Sequence, residues 1–282
     1  MTEGRLRTLR DLTDPVVVIA FAGWNDAGQA ATAAVDHLVD LADGEEIFSL
    51  DPDEFYDFQV NRPQVSRPGP TETEVTWPTT AFAMGRLGER DAVFVYGPEP
   101  NVRWRAFTAQ VLSGLRSAEP SLVVLLGALL ADTPHTRPIP ISGATSDLLV
   151  AERLGLELST YEGPTGILGV LAEACAAAGI PTISLWAAVP HYVAQTPCPK
   201  ATLALLGRLE DLLDCPIDQG DLPELSRAWE RGVAELAAEN SDIADYVAGL
   251  EQEQDATELP EATGDAIAAE FERYLRRRDG QP

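Results

Sequence analysis

Val16-Val17-Val18-Ile19-Ala20-Phe21-Ala22-Gly23-Trp24-Asn25-Asp26-Ala27-Gly28 decides the fold. Seven apolar residues in a row, led by β-branched side chains, leave no polar face for water. They fit a strand covered on both sides. A polar turn flanked by glycines follows at once. Residues 29–42 then place Ala31, Val35, Leu38 and Ala42 on one side at helical spacing. Strand, turn and helix in that order open a βαβ unit.

The pattern returns four times. Ala92–Tyr96 runs into Gly97-Pro98-Glu99-Pro100-Asn101-Val102-Arg103-Trp104, and Leu122–Gly127 leads to Asp132–Pro138. Leu156–Thr160 runs into Tyr161-Glu162-Gly163-Pro164-Thr165-Gly166, and Thr182–Ala188 into Val189-Pro190-His191-Tyr192. Helical stripes sit between the runs: Phe107, Val111 and Leu115; Ile167, Val170, Leu171, Ala174, Cys175 and Ala178, closed by Gly179; and, after Pro199, Leu205, Leu206, Leu209, Leu212 and Leu213. This alternation predicts an α/β protein with a largely parallel sheet and helices on both faces. Ligands of such sheets bind outside the carboxyl ends of the strands. The five loops are therefore expected along one rim, as a composite site or interface.

Two regions break the rhythm. Tyr56, Phe58 and Val60 alternate with polar residues, as do Thr73, Val75 and Trp77, around a proline-rich tip; this predicts an antiparallel ribbon insertion. From residue 221 the strand signals stop. Residues 221–282 carry a net charge of −10 and suggest helices over 223–239, 242–253 and 263–278, with a polar connection at Glu251–Glu261. The expected division is an α/β core, 1–220, and an acidic helical C-terminal subdomain, 221–282.

The 282-residue chain is 45% hydrophobic with a net charge of −25, which supplies a full core and argues against nucleic-acid binding. No apolar run is long enough for a membrane helix, and Met1-Thr2-Glu3-Gly4-Arg5 lacks signal-peptide form, so a cytoplasmic protein is expected. Cys175, Cys198 and Cys215 lack zinc-ligand spacing and read as structural thiols; no metal and no cofactor is expected. The dinucleotide glycine fingerprint, the phosphate-binding loop, the serine elbow and the His-Glu-x-x-His helix are all missing.

The loops supply the candidates. The backbone N–H groups of the Gly23–Gly28 junction can hold an anion; otherwise Asp26 caps the helix and the glycines make the turn, which leaves Trp24 and Asn25 surplus. Glu99 and Arg103, four apart, form an ion pair or present the arginine to a carboxylate or phosphate. His135 suits acid–base work and Arg137 an anion clamp, though flanking prolines stiffen their loop as an interface would need. Thr165 is expected to cap a helix, leaving Glu162 for a hydroxyl or metal. His191 pairs with His135 for proton transfer or packs at a subunit contact. His37, on a helix among acids, is expected to be solvated. Trp77, Trp104 and Trp186 read as core, or as stacking surfaces if two border one pocket.

Together, Phe21–Gly28, Asn61-Arg62-Pro63, Gly97–Pro100 with Arg103-Trp104, Pro134–Pro138, Glu162–Gly166 and Val189–Val193 give the chain a resemblance. It resembles a bacterial member of the proteasome assembly chaperone family named for the second chaperone of the assembly heterodimer. The resemblance spans roughly residues 15–215. It implies a phosphorylase/hydrolase-like α/β core, homo-oligomers with a trimer as the expected form, and no established enzyme activity. Members of that family engage proteasome α-rings through a tail ending hydrophobic-Tyr-any residue. Here Tyr274 stands eight residues before the end, so that ending is not reproduced. Two functions follow as expectations. One is a non-catalytic oligomeric binding or assembly protein whose partner is another protein or complex. The other is a small-molecule enzyme of nucleoside phosphorylase or hydrolase type, which requires Arg103, Arg137, His135, His191 and Glu162 to converge.

Overall fold

The computed structural model describes residue 9, residues 11–193 and residues 197–258. The helix expected over 263–278, the closing Arg276–Pro282 stretch and the first residues lie outside them. In chain order the strands are β1 (Val16–Ala22), β2 (Glu45–Ser49), β3 (Gln64–Ser66), β4 (Glu74–Thr76), β5 (Ala81–Leu87), β6 (Arg90–Pro98), β7 (Leu122–Ala131), β8 (Ile141–Thr145), β9 (Glu157–Leu158) and β10 (Thr182–Pro190). The helices are α1 (Ala30–Leu41), α2 (Pro52–Phe55), α3 (Trp104–Ala118), α4 (Leu148–Leu154), α5 (Ile167–Ala177), α6 (Pro199–Leu213), α7 (Leu222–Ala238) and α8 (Ser241–Glu258).

Eight strands form one sheet in the order β2-β5-β6-β1-β7-β10-β8-β9. Its centre, β6-β1-β7-β10, is parallel. The flanks are not: β5 runs antiparallel to β6, β2 to β5 and β8 to β10, while β9 is parallel to β8. Period-two alternation assigns each central side chain to a layer. Val16, Val18 and Ala20 pack with α1 and α6; Val17, Ile19 and Phe21 pack with α3 and α5. Both layers are dry at β1, as its unbroken apolar run requires.

β10 differs. Ile183, Leu185, Ala187 and Val189 join the α1–α6 layer, whereas its opposite face carries Thr182, Ser184 and Trp186. Trp186 fits because Gly127 on the neighbouring strand has no side chain where its ring lies. That face, together with Ser142 and Ala144 of β8, is left without a covering helix and becomes one wall of a cleft.

Three expectations need correction. The Leu156–Thr160 run contains only β9, two residues at the sheet edge. Because β9 is parallel to β8, it runs against β10, and its carboxyl end lies at the opposite rim. Four loops therefore share the carboxyl rim of the parallel strands, and the fifth, 159–166, crosses back to reach it. The ribbon is real but shorter than its alternation suggests: β3 pairs with β4, while residues 56–60 are held by local turns and by packing of Phe58 on Trp77. The connection expected at Glu251–Glu261 is helical as far as Glu258, since α8 continues through it. α7 lies along α6 with Trp229 against the core, and α8 packs on α7.

Candidate functional site

The cleft encloses about 1060 Å³ between the uncovered face of β8 and β10 and the outer face of α5, where Gly169, Ala172, Glu173 and Ala176 stand. Gly23–Gln29 closes one end, and the crossing loop contributes Ser159, Tyr161 and Gly163–Gly166. Its mouth is apolar and open to solvent. Trp24 is 69% exposed, Tyr161 67% and Leu149, beside wall residue Asp147, 75%; Leu129 and Leu130 are also exposed. A cluster of large exposed apolar side chains around a concavity is the usual mark of a binding surface.

One buried junction shapes the cleft's end. Asn25 is 1% exposed; its carbonyl accepts from the Ala128 backbone (2.8 Å), and its Nδ2 donates to Glu99 Oε1 (2.9 Å). The same oxygen accepts from the backbone N–H of Ile167 (2.8 Å), the first residue of α5. Glu99 thus supplies an orphan helix-terminal donor with an acceptor from another strand. Thr165 was expected in that role; instead Gly166 holds the cap position, and Thr165 lies on the cleft wall. Gly166 is required there, because a methyl group would enter the Asn25 amide. Asn25 Oδ1 is left buried with no hydrogen-bond partner among the described residues.

Asp26 does what its capping reading predicts. It accepts from the N–H groups of Ala31 (2.8 Å) and Thr32 (3.2 Å) and from the Thr32 hydroxyl, bridging the left-handed Gly28 and Gln29 before α1. Burial raises its pKa, and the Thr32 and Ala31 hydrogen bonds oppose the shift.

The histidine and arginine candidates gather elsewhere. His135 is 2% exposed. Its N–H donates to the Tyr192 hydroxyl (2.8 Å), and that hydroxyl lies 2.9 Å from Nδ1. His135 Nε2 is buried with no hydrogen-bond partner among the described residues. Lys200, the one lysine of the chain, donates to the His135 carbonyl (2.6 Å) and to Glu230 of α7 (2.5 Å). Arg137 grips Asp255 of α8 with Nε (2.7 Å) and Nη2 (2.9 Å) and lies 3.5 Å from Glu251, which also accepts from Thr136. His191 lies 3.3 Å from Asp132, which accepts from Tyr246 of α8. This cluster fastens the C-terminal helices to the strand-end loops. His135 and His191 flank Tyr192 edge-on and do not hydrogen-bond to each other.

Two predictions arise here. Arg137→Ala is expected to loosen this half-exposed attachment and to speed amide exchange across α8 while leaving β1 and β7 unchanged. Unaltered exchange in α8 would contradict the assignment. For His135, burial first and the Lys200 charge second hold the pKa below its ordinary value, with Glu230 and Glu251 pulling the other way. The unfolded chain then takes up a proton that the folded chain refuses. The stability is complete above the ordinary histidine pKa and declines as pH falls towards the folded value. The loss in denaturation midpoint from pH 7 to pH 5.5 should therefore shrink in His135→Gln, and an equal loss in both proteins would contradict it.

The structure separates what the enzyme reading needed together. Arg103 does not pair with Glu99: its left-handed backbone turns it away to Glu54 (3.7 Å) and over the Phe55 ring. Glu162 is exposed, and none of Arg103, His135, Arg137, Glu162 and His191 lines the cleft. Trp24, Asn25, Asp26 and Thr165 do line it, with Glu99 directly behind. Trp24 and Trp186 border one pocket; Trp104 instead packs against the core with its Nε1 donating to Pro100. His37 is not merely solvated, since its Nε2 lies 2.6 Å from the Asp218 carbonyl. Cys175 and Cys198 are buried and Cys215 half-buried. Sequence reasoning missed Ser142, Ala144 and Ser184. Their signal was the polar or small residue at every second position of β8 and β10.

A doubly covered α/β sheet with an open cleft beside its strand-end loops is the class these features define. The PAC2 family model matches residues 20–237, and the chain belongs to the PAC2 family. A PAC2 family protein of Streptomyces avermitilis is 55% identical, over 83% of this chain and 100% of that one, with a TM-score of 0.78. A proteasome-assembly chaperone homologue of Mycobacterium tuberculosis is 49% identical, over 82% and 99%, with a TM-score of 0.74. An archaeal proteasome activator of Pyrococcus furiosus, 17% identical over 80% and 94% with a TM-score of 0.64, shares the fold. No curated protein matches the chain.

Proposed function

We propose that this protein is a non-catalytic binding protein that assists proteasome assembly, acting as a homo-oligomer, with a trimer as the working form, in the cytoplasm. Its partner is a proteasome component, and the cleft is where that partner docks. Trp24, Asn25, Asp26 and Thr165 belong to the docking wall, Glu99 holds that wall in shape, and residues 221–258 form a helical subdomain clamped on the core. One observation carries the reading: the mouth is lined by the exposed side chains of Trp24, Leu129, Leu130 and Tyr161, apolar groups that an interface buries. The carboxylates of the wall are already engaged. Asp26 and Asp147 serve helix starts, and Glu173 accepts from Ser146. The family membership and the 49% identity to a proteasome-assembly chaperone homologue support the choice of partner.

The test is reconstitution with purified proteasome α and β subunits of the encoding organism. Size-exclusion chromatography with light scattering is expected to give a trimer alone and a larger complex with unassembled subunits. A monomer alone would refute the oligomer, and failure to form a complex with either subunit would refute the partner.

A further inference from the structure

The cleft is one-sided in its chemistry. Its described wall contains Asp26, Asp147 and Glu173 and no lysine, arginine or histidine, beneath an aromatic and aliphatic mouth. Asn25 Oδ1, buried against Gly166 at the end of the cleft, has no donor among the described residues. The complementary ligand is cationic, rich in N–H donors and flanked by large apolar side chains. Such a segment is written once in this chain. Phe271-Glu272-Arg273-Tyr274-Leu275-Arg276-Arg277-Arg278 contains the only adjacent basic residues in a protein of net charge −25.

The described chain ends at the carboxyl rim of the sheet, by the 132–138 loop. Arg137 pins Asp255, and Gln254 donates to the Pro138 carbonyl, so the end of α8 is held beside the segment that becomes β8, a cleft wall. Glu258 is followed by residues 259–282. Phe271, thirteen positions on, has a reach of about 20 Å even for a helix and about 40 Å extended.

We infer that the cleft is a self-docking site whose occupant is the Phe271–Arg278 segment of the same chain, an internal competitor that a partner must displace. Arginine is suited to the role: its planar donors match the wall hydroxyls, and its guanidinium can stack on the exposed Trp24. The inference adds a regulator to the docking surface proposed above. Its test contains no proteasome component, so the two ideas can fail separately.

The probe is a fluorescein-labelled synthetic peptide of residues 269–280, added to the full-length chain and read by anisotropy. In the R276E/R277E/R278E variant the internal segment is disabled, and the peptide is expected to bind saturably, with affinity falling as salt rises. To the unaltered chain it should bind at least ~10-fold more weakly, because a tethered competitor acts at an effective concentration of about millimolar. That ratio should not change with protein concentration. Glu173→Lys, an exposed change on α5, should weaken the peptide in the variant background without altering the melting temperature. Equal affinity for both proteins, no binding to the variant, or a ratio that appears only at high protein concentration would each overturn the inference.

Discussion

Glu99→Ala is expected to lower the unfolding free energy by about 2–4 kcal/mol, more than a half-buried surface carboxylate should be worth. One oxygen of Glu99 accepts from both the Asn25 amide and the N–H of Ile167. Truncation strands two donors, one on a residue that is almost completely buried, and desolvated donors cost far more than the net value of the bonds they lose. Glu99→Gln keeps an oxygen in place and should cost about half as much. Gly166→Ala strikes the same junction from the other side by pushing a methyl group into Asn25. The double substitution should therefore fall short of the sum of the two single ones. Urea denaturation measures all four variants. A loss below about 1 kcal/mol for Glu99→Ala would mean that the junction does not hold α5 and the cleft end in place.

Trp24→Ala is expected to weaken capture of the proposed proteasome partner by about 30-fold, corresponding to about 2 kcal/mol, with little change in melting temperature. The ring is largely exposed in the isolated chain, so the fold loses almost nothing when it goes. A partner that buries it loses an aromatic anchor, the commonest type of interface hot spot. Leu130→Ala, also exposed on the cleft lining, should weaken capture by a smaller factor. Unchanged affinity in Trp24→Ala, measured by titration calorimetry against the purified subunit, would move the docking surface away from the cleft.

The parts of the fold that were legible in the sequence were those with a strong local cause. Val16–Ala22 reads as a central strand because nothing in it tolerates water, and Ile167–Ala177 reads as a helix because its apolar stripe is wide. Asp26 was legible as a cap because capping needs little more than a short acid beside a turn. The failures were long-range. Thr165 has capping chemistry, but the acceptor that closes α5 comes from Glu99, far away in sequence, through a strand alignment that spacing does not encode. Arg103 sits four residues from Glu99, yet a left-handed backbone breaks the helical geometry that would have paired them. Arg137 and His135 looked like solvent-facing chemistry because the helices that cover them, α7 and α8, arrive about a hundred residues later. The cleft was only half legible. Its loop end was clear, but its long wall depends on α5 leaving a gap over the Ser184 and Trp186 face of β10, and the alternation Thr182-Ile183-Ser184-Leu185-Trp186 records that indirectly.

Hydrogen–deuterium exchange of the full-length chain, alone and with a saturating excess of purified proteasome α subunit, tests the docking surface most directly. Slowed exchange across Gly23–Gln29 and residues 159–166, with little change in the β3–β4 ribbon or the solvent face of α7, is the expected footprint. Protection confined to the ribbon or to α7 and α8, with the cleft loops exchanging as they do alone, would contradict it.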